Sequence, residues 1–208
     1  MDKLDNVYYI NLDHRTDRND HIISEFTKIK FSNYERFPAI KHEFGALGCA
    51  LSHLNVLLKF KENKDFKVGM VLEDDAEFLI SREEIDKYIN DFIQSDAHVL
   101  CLAYNIRNDS ISDYSAHLLR STCVQTLSCC LIKKEILNIL IDNFTFASKN
   151  LKKHYNKKNK IELIVKFAID STWKSLQKDY IFTIPKVRAA KQYHSYSDIM
   201  NCMATYDV

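Results

Sequence analysis

Glycine and proline are nearly missing: 3 and 2 residues in a chain of 208, where average usage would place about 12% of residues in those two types. That scarcity excludes collagen-like, low-complexity and loop-dominated architectures. It also marks Pro38, Gly45, Gly48, Gly69 and Pro185 as places where the backbone has a reason to use them. Net charge is nearly missing too, with 29 basic residues against 28 acidic ones, so no global field points to nucleic acid as a partner. No apolar run reaches the ~18 residues of a membrane span. The opening MDKLDNVYYINL has no signal-peptide core or cleavage site. The 6 cysteines include no CxxC pair and no zinc spacing. Together these predict a reducing, cytoplasmic setting, with peripheral contact at a membrane surface left open.

What remains is an ordinary globule, 46% apolar and 27% charged, long enough for one domain over 1–208 without a staple. The one locally basic stretch, Lys149 to Lys160, reads as a solvated linker or lid. Residues 185–208 read as a C-terminal flap.

Periodicity orders the chain. Val7–Leu12 is strand-like and is followed by the polar turn DHRTDR. Ile22, Ile23, Phe26 and Ile29 predict a helix from Thr16 to Lys28. Leu47, Ala50, Leu51, Leu54, Leu57 and Leu58 fit a helix over 45–63. Val68–Leu72 is apolar on both faces, which suits a covered central strand. Ser81 with Glu84 three residues on is a capping-box signature. Strands are further expected at 98–104, 124–132 and 180–184, and helices at 133–143 and 161–169, with a loop over 105–122. The alternation predicts an α/β fold: a mixed, mostly parallel sheet flanked by helices, with ligands beyond the carboxyl ends of its strands.

Chemistry concentrates at three places. Glu73, Asp74 and Asp75 follow the buried strand directly, and three adjacent carboxylates repel unless a cation or donors resolve them. Strand alternation sends Glu73 and Asp75 one way and Asp74 the other, a carboxylate pair suited to Mn2+ or Mg2+; a plain solvated acidic turn fits the same letters. The turn after the first strand has no GxGxxG and no P-loop, so phosphate contact there falls to Arg15 or Arg18. GALGCALSH sets Gly45 and Gly48 at a helix start, which points to close backbone or ligand approach, and places Ser52 and His53 within an apolar helix.

Taken in order, YYINLDHRTDR, RFPAI, GALGCALSH, VLEDDAEF, VQTLSCCLIKKEIL, FAIDSTWKSL and IPKVRAAKQYHSYSDI resemble glycosyltransferase family 25, which includes lipopolysaccharide-type and procollagen-type galactosyltransferases of bacteria and large DNA viruses. The resemblance spans nearly the whole chain. It implies a GT-A-type, Rossmann-like nucleotide-diphospho-sugar transferase fold, a UDP-sugar donor carrying galactose or glucose, a glycan or protein hydroxyl as acceptor, and Mn2+ or Mg2+ as cofactor. Carried over residue by residue, it implies that Asp75 holds the metal, with Asp74 and His194 as further ligands. Glu73 and Asp74 then lie near the ribose. Asn11, Arg15 and Arg18 line the nucleotide pocket beside Gly48, Ser52 and His53, and Asp170 is the general base of an inverting transfer. Trp173 suits a sugar platform or the core. Two other classes stay open on the residues alone: a metal-dependent phosphoesterase or nuclease, and a non-enzymatic binding module using the basic stretch.

Overall fold

The computed structural model of the chain describes residues 1–106, 110–156, 159–197, 199 and 202–204. The first strand, β1 (Asn6–Asn11), alternates its side chains between two cores. Tyr8 and Ile10 join one core and Val7 and Tyr9 the other, as a strand with both faces covered requires. After a short turn comes α1 (Thr16–Lys28), with Ile22 and Phe26 inward. Next are β2 (Glu35–Pro38), α2 (Gly45–Glu62), β3 (Val68–Glu73) and the short β4 (Ala76–Phe78). Gly69 in β3 is fixed by packing, since a Cβ there would stand 2.7 Å from the rings of Phe60 and Phe66. The capping box opens α3 (Arg82–Gln94), with Ser81 and Glu84 making both reciprocal bonds.

The second half runs β5 (Val99–Cys101), β6 (Ile111–Asp113), β7 (Leu118–Ser121), β8 (Cys129–Lys133), α4 (Lys134–His154), α5 (Lys160–Phe167) and α6 (Ile169–Thr172). A 3-10 turn over Trp173–Lys178 leads to β9 (Phe182–Pro185), β10 (Ala190–Gln192), β11 (Ser195–Ser197) and β12 (Cys202–Ala204). The main sheet has 8 strands in the order β2-β1-β3-β8-β5-β9-β7-β6. Only β8 and β7 run against the other six. The sheet is thus mixed and mostly parallel. Helices α2 and α4 cover one face, and α1 and α3 the other. No helix of the described residues is long and apolar enough to cross a membrane.

Several elements depart from the sequence expectations. The predicted loop over 105–122 holds the β6–β7 hairpin, whose outer strand is exposed throughout and carries no apolar pattern to read. The helix expected to end at Asn143 continues to His154. Phe144, Ala147, Ser148 and Leu151 extend its buried stripe, so Lys149, Lys152 and Lys153 are the outer face of a helix and not a linker; Lys157 and Lys158 lie outside the described residues. The closing segment pairs β10 with β4 and β11 with β12.

Candidate active site

β1 and β3 lie side by side and parallel, with Ile10 opposite Glu73. Their carboxyl ends therefore open into the same space, a cavity of about 350 Å3, which is a size suited to a small ligand. Glu73, Asp74 and Asp75 all line it. The expected strand alternation does not hold, because β3 stops at Glu73 and Asp74–Asp75 form the turn into β4. A turn releases side chains from the two-sided strand pattern, so the three acids reach one cavity.

Each acid has a different environment. Asp74 is saturated: its Oδ2 accepts from Asn11 Nδ2 at 2.7 Å and its Oδ1 from Arg18 Nη1 at 3.0 Å. Asp75 Oδ2 lies 3.2 Å from the same Arg18 nitrogen, while its Oδ1 is sealed from solvent with no hydrogen-bond partner. Burial, reinforced by Glu73 and Asp74 and opposed by Arg18, pushes the Asp75 carboxyl up to about 8. Burial also raises Asp74, against the pull of Arg18 and Asn11. Glu73 accepts from His53 Nε2 at 3.0 Å and from the Cys49 thiol at 3.7 Å. Burial would raise Glu73, but the His53 contact and the charge of Arg18 outweigh it, and the net shift is downward.

The scaffold behind these acids is short and stiff. Asn11 is 2% exposed; its amide donates to Arg15 O and Asp74, and its Oδ1 accepts from Arg36 Nε at 2.9 Å. Arg36 was not among the expected residues, and nothing in the RFPAI stretch signals that its side chain crosses from β2 to Asn11. Gly48 is required for a different reason: a Cβ there would stand 2.5 Å from the carbonyl oxygen of Ile40. Ser52 fastens the same contact, accepting from Ile40 N at 2.8 Å and donating to Gly48 O at 2.8 Å. The hydroxyl is thereby occupied, and Ser52 positions the wall at Ile40. His53 is 1% exposed, with Nδ1 unpartnered.

Arg15 and Arg18, equivalent in the sequence, are not equivalent in space. Arg15 forks onto Asp17 with bonds of 2.9 and 2.8 Å and donates to Tyr196 O. The hydrogen bond from Arg15 holds Asp17 at about 2. Arg18 lines the cavity and also donates to Ser195 Oγ and Tyr196 O. The C-terminal segment is thus strapped across the site, with Gln192, Ser197 and Ile199 as its wall and Tyr193 N bonded to Asp75 O. His194 is exposed on that strap, next to Tyr193. Asp198 lies outside the described residues.

Asp170, at the start of α6, is not among the residues that line the cavity. It is half-buried and bonded to Gln125 and to the Thr126 backbone. Burial raises its carboxyl above the usual range, and the Glu73 charge adds to that. Thr126 has φ of 87°, a left-handed conformation that costs a β-branched residue about 1–3 kcal/mol. The loop tolerates this because Trp173 Nε1 and Gln177 Nε2 both donate to Val124 O next to it. Trp173 is fully buried against Phe182, so it serves as a core anchor and leaves no face for a sugar. Among the described residues one group of three potential metal ligands stands together, apart from Asp75. Cys49, His53 and Glu73 bring three ligand atoms within 4.8 Å of one another, a mixed sulfur, nitrogen and oxygen set. Asp75 offers the hard, unpartnered oxygen.

No family model and no curated protein matches the chain. Solved structures do. A protein from STIV is similar at 14% identity and TM-score 0.49, over 98% of this chain and 95% of that one. A glycosyltransferase involved in glycosylation of the major capsid of PBCV-1 is similar at 8% identity and TM-score 0.43, over 86% and 92%. A mannose-1-phosphate geranyltransferase from Thermus thermophilus is similar at 8% identity and TM-score 0.42, over 89% of this chain and 58% of that one. Likenesses this distant do not bear on the chemistry of the cavity.

Proposed function

We propose that the protein is a metal-dependent glycosyltransferase that moves a hexosyl group, galactose or glucose, from a UDP-sugar to a hydroxyl on a glycan or protein. One observation carries this reading: at the strand ends, Arg18 and Asp75 line a cavity of about 350 Å3, and Asp75 Oδ1 is buried there without a hydrogen-bond partner. A cationic fork and an oxygen awaiting a cation are complementary to a diphosphate and its metal. The ordered motifs that resemble family 25 glycosyltransferases support the same reading: Arg18, Gly48, Ser52, His53, Glu73, Asp74 and Asp75 from them line this cavity, whereas Asn11, Arg15, Asp170 and His194 are not among its lining residues.

Asp75 fits a hard divalent ion, because a sealed carboxylate oxygen without a donor is relieved by one. Asp74 has both oxygens engaged, so it positions Arg18 and Asn11, and His194 on the strap is the candidate further ligand. Mn2+ or Mg2+ bound there would supply Lewis-acid neutralisation of the diphosphate. Arg18 would add a fixed positive charge, and Asn11, Gly48, Ser52 and His53 would shape the nucleotide side. In the transfer, the bond from the anomeric carbon to UDP oxygen breaks with its electron pair leaving on UDP. The acceptor oxygen bonds to that carbon, and its proton passes to Asp170. A carboxyl raised by burial is a stronger base than a solvated one, which suits that role. The setting we infer is a reducing cytoplasm, in keeping with the free thiols of Cys49, Cys101, Cys123, Cys129 and Cys130.

The test is calorimetric titration of UDP with and without Mn2+, followed by turnover across a panel of UDP-sugars. Mn2+-dependent UDP binding is the expected result. Absence of UDP binding with and without Mn2+, or release of phosphate from simple esters in place of sugar transfer, would overturn the reading.

A further inference from the structure

The face where α4 and α5 meet solvent has no part in the cavity chemistry, and its composition is unusual. Leu163 of α5 is buried, and residues two positions away on a helix stand roughly opposite it. Ile161 and Val165 are accordingly 63% and 70% exposed. Phe146 on α4 is 54% exposed, with its ring 6.3 Å from that of Phe167 at the end of α5. The same two helices carry exposed lysines: Lys149, Lys152 and Lys153 on α4, Lys160 and Lys166 on α5. Residues 149–166 hold 7 lysines against one acidic residue, Glu162, in a chain whose total charge is +1. Positive charge and exposed hydrocarbon therefore occur together on these two helices.

The face also adjoins the site. A groove of about 240 Å3 runs between Leu47, Leu51 and Leu54 of α2 and Ser148, Lys149 and Lys152 of α4. His42 borders both this groove and the cavity. The ring of Tyr155, just after α4, stacks on Phe44 at 6.2 Å, and Lys160 lies over Phe44 at 6.0 Å.

Lysines alone would suit any polyanion. Aliphatic side chains among them do not: Ile161 and Val165 have no π face on which a base could stack, and exposing them to a wholly polar polymer gains nothing. A bilayer with anionic headgroups offers both chemistries, negative charge at its surface and hydrocarbon just beneath. We propose that the α4–α5 face docks on a bilayer of anionic phospholipid, the lysines meeting headgroups and Phe146, Ile161 and Val165 dipping below them. The inference does not depend on what the cavity does.

The test is co-sedimentation of the whole chain with vesicles of mixed phosphatidylglycerol and phosphatidylcholine, and with vesicles of phosphatidylcholine alone. Binding to the mixed vesicles only is expected, weakening as salt rises. Replacing Lys152, Lys153 and Lys160 together by Ala should lower the vesicle affinity by about two orders of magnitude. A Phe146→Ser, Ile161→Ser, Val165→Ser triple variant should weaken binding and steepen its salt dependence, with the thermal transition of the free protein within a few degrees of wild type. Equal binding to neutral vesicles, no binding to either kind, or unchanged binding by both variants would overturn the proposal. So would tighter binding to a nucleic acid that the serine variant retains, or a dimer of the free protein that the serine variant abolishes.

Discussion

Arg18 Nη1 lies 3.2 Å from Asp75 Oδ2, and this contact leaves the other oxygen of Asp75 without a partner. Arg18 is thus the resident counter-charge of the acidic turn, and it neutralises only part of it. Arg18→Ala should destabilise the fold by about 3 kcal/mol, as removal of one member of a buried ion pair does. Mn2+ should restore more melting temperature to this variant than to wild type. Differential scanning fluorimetry with and without the ion measures both effects.

Asp75→Asn tests the opposite partner. The substitution keeps the shape of the side chain and removes the charge that a cation would meet. Mn2+-dependent UDP binding should disappear in calorimetry while the thermal transition stays cooperative. Retained Mn2+ dependence would move the metal to another group.

Asp170→Asn should lower kcat by about 10²–10⁴-fold with little change in KM for the donor, the signature of a group that acts on the acceptor proton. Steady-state kinetics at saturating acceptor would show it. A parallel rise in donor KM would instead assign Asp170 to binding.

Gly48→Ala meets the Ile40 carbonyl at 2.5 Å, and backbone cannot rotate away as a side chain can. A loss of about 1–3 kcal/mol is expected by urea denaturation. UDP affinity should fall with it, because Ser52 holds the same wall.

His98 provides a pH dependence far from the cavity. Its Nδ1 accepts from Ile181 N at 3.1 Å, a bond available only to an unprotonated nitrogen. Burial lowers its pKa below 6.5. Above that value both folded and unfolded chains carry a neutral ring. As pH falls through it, the unfolded chain takes up a proton first, so stability declines. His98→Asn should flatten the part of the stability profile just below pH 6.5, measured by urea midpoint.

The sequence carried the long elements well and the short ones poorly. The apolar faces of α1 and α2 and the reciprocal cap of α3 fixed those helices, since each signal is local and repeated. β4 and β10, each 3 residues, are too short to show a period and exist because they pair with each other. Lysines concealed the second half of α4, whose buried stripe of Phe144, Ala147 and Leu151 is diluted by charge on its other side. At the site, the residue types were legible and their division of labour was not. Arg15 and Arg18 are three positions apart, close enough for one helix face. Yet Asp17 captures Arg15 and the acidic turn captures Arg18. Arg36 and the strained Thr126 act through contacts made across the fold, which local letters cannot encode.

The strap that ties Ser195 and Tyr196 to Arg15 and Arg18 joins residues about 180 positions apart in the chain. On the ribosome, the acidic turn and both arginines emerge long before the segment that encloses them. Until residue 197 has been made and released from the exit tunnel, the cavity lacks a wall and Asp75 lacks the backbone partner at Tyr193. A chain that stops short of the strap therefore has no closed cavity, and the site is completed only once residues 195–197 have joined it.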